Sequence, residues 1–337
     1  MDACDMSESK PQNSLVSIVI PCFNEDQVIR ATHERISGVL SSISGAEFEI
    51  MFVDDGSSDQ TFSVLKVLQA SDSRVRVIAF SRNFGHQIAV SAGFEHAAGD
   101  AVILIDADLQ DPPEVIGEML TRWRQGADVA YGVRTDREGE TRFKLWTAKA
   151  FYRSINRLSD VAIPLDTGDF RLMDRRVVDV LLRMPERDRF VRGMVAWVGF
   201  RQEAVYYRRA ARYAGKTKYP LRKMIRFALD GILSFSLVPL RIAGWMGFAT
   251  AFLAMFGVTY AFAVRMLTHT WVPGWTMLFI ACSFIGGIQL ACLGVLGEYV
   301  GRIYGETKRR PLYIVRERLG FPALTRIHRA REQTAMV

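Results

Sequence analysis

Ala101-Val102-Ile103-Leu104-Ile105-Asp106-Ala107-Asp108-Leu109-Gln110-Asp111-Pro112-Pro113 is the stretch from which the fold of this 337-residue chain is read. Five apolar residues in a row suit a strand buried on both faces. They break off into two carboxylates, an amide and a third carboxylate, and the prolines behind them suit the first turn of a helix. The same form recurs on either side. Strand-like runs occupy Val16–Pro21, Phe48–Asp54, Val75–Phe80, Ala101–Asp106 and Asp128–Gly132, and helix-like periods occupy Asp26–Ser42, Gln60–Ser71, Gln87–Ala98 and Pro112–Gln125. Strands alternating with helices predict an α/β domain around a parallel sheet.

In open parallel sheets ligands gather beyond the carboxyl ends of the strands. The first run ends in Pro21-Cys22-Phe23-Asn24-Glu25 and the second in Asp54-Asp55-Gly56-Ser57-Ser58-Asp59. The third ends in Ser81-Arg82-Asn83-Phe84-Gly85-His86 and the fourth in Asp106 to Asp111. Carboxylate, amide and cation at four strand ends suit a nucleotide and its diphosphate. No Gly-x-Gly-x-x-Gly follows the first strand, which argues against an ordinary dinucleotide site. Gly215-Lys216-Thr217 imitates the tail of a P-loop but has Ala210 where the earlier glycine belongs, and His33-Glu34 has Ser37 where a zincin needs its second histidine. Asp106 and Asp108 can approach one hard cation while diphosphate oxygens fill the remaining positions, an oxygen-only set that suits Mg²⁺ or Mn²⁺. The other reading of Asp108 is a cap for the following helix. Cys4, Cys22, Cys282 and Cys292 show no metal spacing and read as structural thiols.

The last third changes character. Ile242–Val264 is 23 residues without a charged side chain, and Trp275–Leu296 is a second apolar run behind Pro273-Gly274. Each exceeds or matches the roughly 20 residues that cross a bilayer, so the pair predicts a transmembrane hairpin, with helices at about 242–264 and 275–297. Basic residues collar it. Residues 201–226 carry nine Lys/Arg against one Glu, and residues 302–332 carry nine against three, so the rest of a chain of net charge +7 is acidic. Such collars argue for an anionic membrane face rather than nucleic acid, and for the α/β body and both termini on the cytoplasmic side of the membrane. Met1–Ser14 has no apolar core, so no signal peptide is expected there. The expected organisation is a disordered N-terminus (1–13), a soluble α/β domain (14–218), an interfacial amphipathic segment (219–240), the hairpin (241–300) and a basic cytosolic tail (301–337).

The ordered set of these strand ends, followed by Gly168-Asp169-Phe170-Arg171-Leu172, Arg189-Phe190-Val191-Arg192-Gly193-Met194 and the two-helix tail, resembles family 2 glycosyltransferases of the GT-A fold. Over about residues 14–315 it is similar to the polyprenyl-phosphate glycosyltransferases, the subgroup of bactoprenol glucosyltransferases and dolichol-phosphate mannose synthases. The resemblance implies a Rossmann-like GT-A cytosolic domain carried on a membrane hairpin of the bacterial plasma membrane. It implies that Pro21, Asn24, Glu25 and Asp54 surround the base and ribose of a nucleotide sugar, with Asp55 supporting their loop. Asp106, Asp108 and Gln110 would hold Mg²⁺ or Mn²⁺ on the donor diphosphate. Asp166 or Asp169 would face the acceptor, Asp169 being the first choice; the other reading of either is a turn or a salt bridge to Arg171. Arg134, Arg142, Arg192, Arg212, Lys216 and Lys218 are candidates for the lipid phosphate or the diphosphate, since guanidinium groups suit such oxyanions. A homo-oligomer, with a tetramer as one form, follows from what related enzymes do and from Gly286, Gly287, Gly294 and Gly297 in the second span.

The reaction so implied is inverting transfer of a hexose, glucose from UDP-glucose first, to a polyprenyl phosphate such as undecaprenyl phosphate. GDP-mannose, UDP-galactose, UDP-N-acetylhexosamine and UDP-aminoarabinose derivatives stand behind it as donors. A processive polysaccharide synthase would carry Gln-x-x-Arg-Trp, which does not occur here. A non-enzymatic lipid-binding scaffold would have no need of Asp106 and Asp108. A chain cut after Arg226 is expected to remain a soluble, nucleotide-sugar-binding domain.

Overall fold

The computed structural model describes residue 10 and residues 13–135, 167–208, 238–268 and 274–321. Nine consecutive residues, Ser14–Cys22, form β1, and the alternating apolar segments behind it form α1 (Ile29–Ser41), β2 (Ala46–Asp54), α2 (Thr61–Ser71), β3 (Val75–Phe80), α3 (His86–His96), β4 (Ala101–Leu104), α4 (Ile116–Arg124) and β5 (Val129–Arg134). A short 3₁₀ turn, Pro113–Val115, opens α4 with a proline at its start, as a missing N–H allows. Then come β6 (Thr167–Asp174), α5 (Arg175–Arg183), α6 (Val191–Trp197), β7 (Gln202–Tyr207), α7 (Val238–Thr268), α8 (Trp275–Thr307) and β8 (Val315–Leu319).

Eight strands make one sheet in the order β7-β5-β6-β4-β1-β2-β3-β8. β1 runs parallel to β2 on one side and to β4 on the other, so the strand order reverses at β1. In a doubly wound sheet the crevice outside the carboxyl ends at such a reversal is where ligands bind. Ile18, Ile20, Phe52 and Ile103 are fully buried and form the core with Ile36, Leu65 and Trp123 from the covering helices, which is why these central strands read as unbroken apolar runs. On the other face α3 presses on β1, where a Cβ at Gly93 would come 2.2 Å from a methyl of Val19.

The expected all-parallel sheet is mixed instead. β6 is antiparallel to both β4 and β5, β8 is antiparallel to β3, and β7 is parallel to β5. β6 escaped recognition because Asp169 and Arg171 interrupt its apolar residues. The tail expected over 301–337 is also different: α8 continues to Thr307, and Val315–Leu319 returns to the sheet as its edge strand. The sheet therefore takes its last strand from beyond the hairpin, and a cut after Arg226 removes part of it. Edge strands are short and charged, so Val-Arg-Glu-Arg-Leu reads as tail in the sequence alone.

The chain divides into two units, with 222–309 in the second and the sheet in the first. In the second, α7 and α8 have 31 and 33 residues, which at 1.5 Å per residue is about 46 and 50 Å, longer than a hydrocarbon core of about 30 Å. Both are long and apolar enough to cross a membrane, and their apolar windows are unburied; Phe248 and Leu267 are among the exposed side chains. A core helix of a soluble protein would bury one face. The interfacial segment expected at 219–240 lies outside the described residues except for its last three, which begin α7.

Candidate active site

The polar loops after β1, β2 and β4 meet at the sheet reversal. Pro21 and Cys22 pair in register with Val53 and Asp54. Past β1 the chain turns through Asn24, whose φ is +54°, a conformation an asparagine tolerates because its short amide can bond locally. The Asn24 side-chain oxygen accepts from the Ser58 N–H at 2.9 Å, and the Asn24 N–H donates to the Ser57 hydroxyl at 2.9 Å. The Glu25 N–H donates to Thr61 Oγ1 at 2.9 Å, so these bonds fasten the first two loops together.

Asp54 and Asp55 are both buried and differ in what they hold. Asp55 accepts from the N–H groups of Phe84 (2.7 Å) and Gly85 (3.0 Å) and thereby fixes the loop behind β3. Asp54 accepts from the Ser57 N–H at 3.1 Å through one oxygen, while its Oδ2 is buried without a hydrogen-bond partner. Burial raises the pKa of both carboxyls, since an ion leaves water at a cost.

β4 makes its last ladder bond from the Ile105 N–H to the Val19 carbonyl at 3.1 Å, which leaves Asp106 outside the ladder. Beyond it Leu109 has φ +57°, a strained conformation of the kind that gathers at functional sites. The buried Thr32 hydroxyl donates to the Ala107 carbonyl at 2.7 Å, pinning the backbone between Asp106 and Asp108. Asp108 accepts from the Gln110 N–H at 3.2 Å, and the helix starts only at Pro113; the capping alternative is therefore not what the structure has. Gln110 Oε1 is buried without a hydrogen-bond partner.

Asp169 reaches the same place from β6 and is 6% exposed. Arg192, from α6, donates to its Oδ1 at 2.6 Å, and His86, in the first turn of α3, stands 3.4 Å from its Oδ2 and 3.8 Å from Asp106 Oδ1. The expected alternative of an Asp169–Arg171 salt bridge is not formed. The Arg171 guanidinium donates instead to the carbonyls of Asp169 (3.2 Å) and Gly168 (3.0 Å), and burial brings it down to about 10. Burial opposes charge on Asp169, yet Arg192 and His86 outweigh it and hold the carboxyl well below the usual range. Burial pushes Asp106 up to about 6 against the attraction of His86. His86 is opposed by burial too, and the bond to Asp169 with the charge of Asp106 lifts it to about 9.

Arg134, at the end of β5, is engaged at the rim. It stands 3.4 Å from Asp111 Oδ1 and 3.3 Å from the Tyr207 hydroxyl, which itself donates to Asp111 at 2.5 Å. Of the other residues singled out in the sequence, Arg142, Asp166, Arg212, Lys216 and Lys218 lie outside the described residues. His86, Asp111 and Tyr207 were missed. His86 stood in the polar run behind the third strand, whereas Tyr207 ends a strand that the sequence did not reveal. A divalent cation fits the donor set: Asp106, Asp108 and the partnerless Gln110 oxygen are all oxygen ligands on one loop. Among the described residues no three His, Cys, Asp or Glu side chains form a ready-made cage, so the protein would supply part of the shell and a diphosphate the rest.

Residues 17–182 match glycosyl transferase family 2. An uncharacterized glycosyltransferase of Bacillus subtilis, YkcC, is 50% identical over 307 residues, 90% of this chain and 94% of that protein. The prophage bactoprenol glucosyl transferase homolog of Escherichia coli K12 is 42% identical over 301 residues, 89% of this chain and 98% of that one. The bactoprenol glucosyl transferase of Shigella phage SfV is 41% identical over the same shares. Among solved structures, glucosyl-3-phosphoglycerate synthase from Mycobacterium tuberculosis, in complex with Mn²⁺, UDP-glucose and phosphoglyceric acid, is 19% identical, with a TM-score of 0.44 over 65% of this chain and 78% of that one.

Proposed function

We propose, from the premise that this chain belongs to glycosyl transferase family 2 and to its polyprenyl-phosphate subgroup, that it transfers glucose from UDP-glucose to a polyprenyl phosphate at a membrane surface. The observation that carries this reading is the extent of the likeness. Relatives named bactoprenol glucosyl transferase match about nine-tenths of the chain, a span that takes in both the sheet and the apolar hairpin.

In this reading Pro21, Asn24, Glu25 and Asp54 bind the nucleoside, with Asp55 holding their loop. Asp106, Asp108 and Gln110 would hold Mg²⁺ or Mn²⁺ against the diphosphate. Such an ion supplies charge neutralisation to the departing nucleoside diphosphate. The acceptor phosphate oxygen forms the new bond to the anomeric carbon from the face opposite the nucleotide. The bond from that carbon to the β-phosphate oxygen breaks, and its electron pair leaves on UDP. A phosphate monoester is already ionised near neutral pH, so Asp169 is not required as a strong base. Its low pKa suits a fixed negative charge near the anomeric carbon and a handle that orients Arg192 toward the acceptor phosphate. Arg134, tied to Asp111 and Tyr207, is pre-positioned for an oxyanion; Arg142, Arg212, Lys216 and Lys218 extend the same proposal, with Asp166 second to Asp169.

The hairpin keeps this site at the leaflet that holds the acceptor, which raises its effective concentration. Positive flanks support a catalytic domain on the cytoplasmic side. The purified enzyme in detergent, given labelled UDP-glucose and undecaprenyl phosphate with Mn²⁺ or Mg²⁺, is expected to yield label in the organic phase. The Asp108→Ala variant, folded and membrane-bound, is expected to yield none; full activity in that variant would remove the metal assignment.

A further inference from the structure

The sheet's last strand, β8, comes close to Asp54 at the end of β2, although it lies beyond the hairpin in sequence. It pairs antiparallel with β3, and the Ser81 N–H donates to the Ile314 carbonyl at 2.9 Å, so the strand runs along the polar loop behind β3. Lys66 of α2 holds Glu317 at 3.0 Å, and Tyr313 stacks on Phe80 with ring centroids 4.9 Å apart. These contacts set the direction of Arg316. Its guanidinium lies over the Phe62 ring at 4.7 Å, and one of its nitrogens is 3.9 Å from Asp54 Oδ2. That oxygen is buried and has no hydrogen-bond partner.

A buried carboxylate oxygen without a donor is costly, and 3.9 Å is too long for Arg316 to satisfy it directly. A planar group inserted there would accept from the guanidinium with one edge atom while giving an N–H to Asp54. A nucleobase that presents an N–H beside a carbonyl or ring nitrogen has that edge. The guanidinium, flat and already resting on an aromatic ring, is also suited to stack on a base.

We infer that Arg316 is a donor-binding residue, so that the strand following the membrane hairpin supplies one wall of the nucleobase pocket opposite Asp54. The inference rests on the nucleotide-sugar reading of that site. It also gives the split of the catalytic body a purpose, because the pocket is complete only when the chain has returned from the membrane.

The test is binding of UDP to the full-length protein in detergent by calorimetry, together with steady-state kinetics against UDP-glucose. Arg316→Gln removes the charge and the guanidinium that rests on Phe62 while leaving a polar side chain on the strand. It is expected to weaken UDP binding about tenfold, the worth of one charge-assisted hydrogen bond, and to raise KM by a like factor with kcat little changed. Arg316→Lys is expected to recover part of that loss, and Lys66→Ala, which frees Glu317 on the same strand, to bind UDP as wild type does. UDP affinity and KM unchanged in Arg316→Gln would overturn the inference. So would an equal loss in Lys66→Ala, since the effect would then belong to strand docking. A wild-type protein that binds no nucleotide would overturn the donor-site reading itself, and this inference with it.

Discussion

Gly56 has φ +69°, and a Cβ placed on it would stand 2.3 Å from the carbonyl carbon of Arg82. The loop carrying Asp54 and Asp55 therefore slides beneath the loop behind β3 only because it has no side chain at that point. Gly56→Ala is expected to cost about 2 kcal/mol or more, from the left-handed backbone and the clash together, and to weaken nucleotide binding; thermal denaturation and UDP titration would register both. A second prediction concerns Asp169. Its replacement by Asn leaves Arg192 and His86 without the charge that holds them, so transfer should collapse while UDP binding persists, because the residues proposed for the nucleoside stand at the ends of β1 and β2 and Asp169 stands on β6. Retained turnover would remove Asp169 from the reaction. At this scale the sequence revealed residues whose position follows from strand ends, such as Asp54, Asp106 and Asp108. It did not reveal His86 between Asp106 and Asp169, or Tyr207 on Asp111, because those contacts join residues 20, 83 and 96 apart and leave no local pattern.

The elements were legible in proportion to how completely they are buried. β1, β2, β3 and β4 lie at or near the centre of the sheet and show as continuous apolar runs, and α1 to α4 were found with ends displaced by a few residues, as fraying predicts. β6, β7 and β8 were not found, for β6 carries site residues and β7 and β8 are edges. α5 shows what such hidden elements depend on. Its cap, Asp174, accepts from the Arg176 N–H at 3.0 Å, Lys10 at 2.6 Å and the Trp123 indole at 2.8 Å. Burial opposes its ionisation, but these donors prevail and its pKa lies below the usual value. A depressed carboxyl adds stability above its unfolded pKa of about 4 and loses it as pH falls through the folded value. Asp174→Asn should therefore melt earlier than wild type at pH 7, with the gap closing as the pH drops below about 4; a gap independent of pH would show that the charge is irrelevant. β8 brings a further expectation. A chain ended after Arg226 loses β8 and uncovers the β3 edge, so it should aggregate or unfold. Replacing 227–309 by a flexible linker keeps the strand and should leave a folded, nucleotide-binding protein.

For the molecule as a whole, charge and hydropathy were the plainest signals. Two unburied apolar helices sit between basic collars, an arrangement that a soluble protein would pay for in exposed apolar surface. The linker variant just described tests what the hairpin contributes: it should turn over a short-chain, water-soluble polyprenyl phosphate but transfer poorly to the long-chain lipid in vesicles. Equal rates on both would contradict the membrane-positioning account. The central claim, that a family 2 glycosyltransferase site on this sheet serves a lipid phosphate, is tested most directly by transfer itself. Labelled UDP- and GDP-sugars would be offered with undecaprenyl phosphate in detergent, with Mg²⁺, Mn²⁺ or EDTA, and the organic phase counted. Label from UDP-glucose that disappears with EDTA is the predicted result, whereas no label from any donor, in folded protein that carries its hairpin, would contradict it.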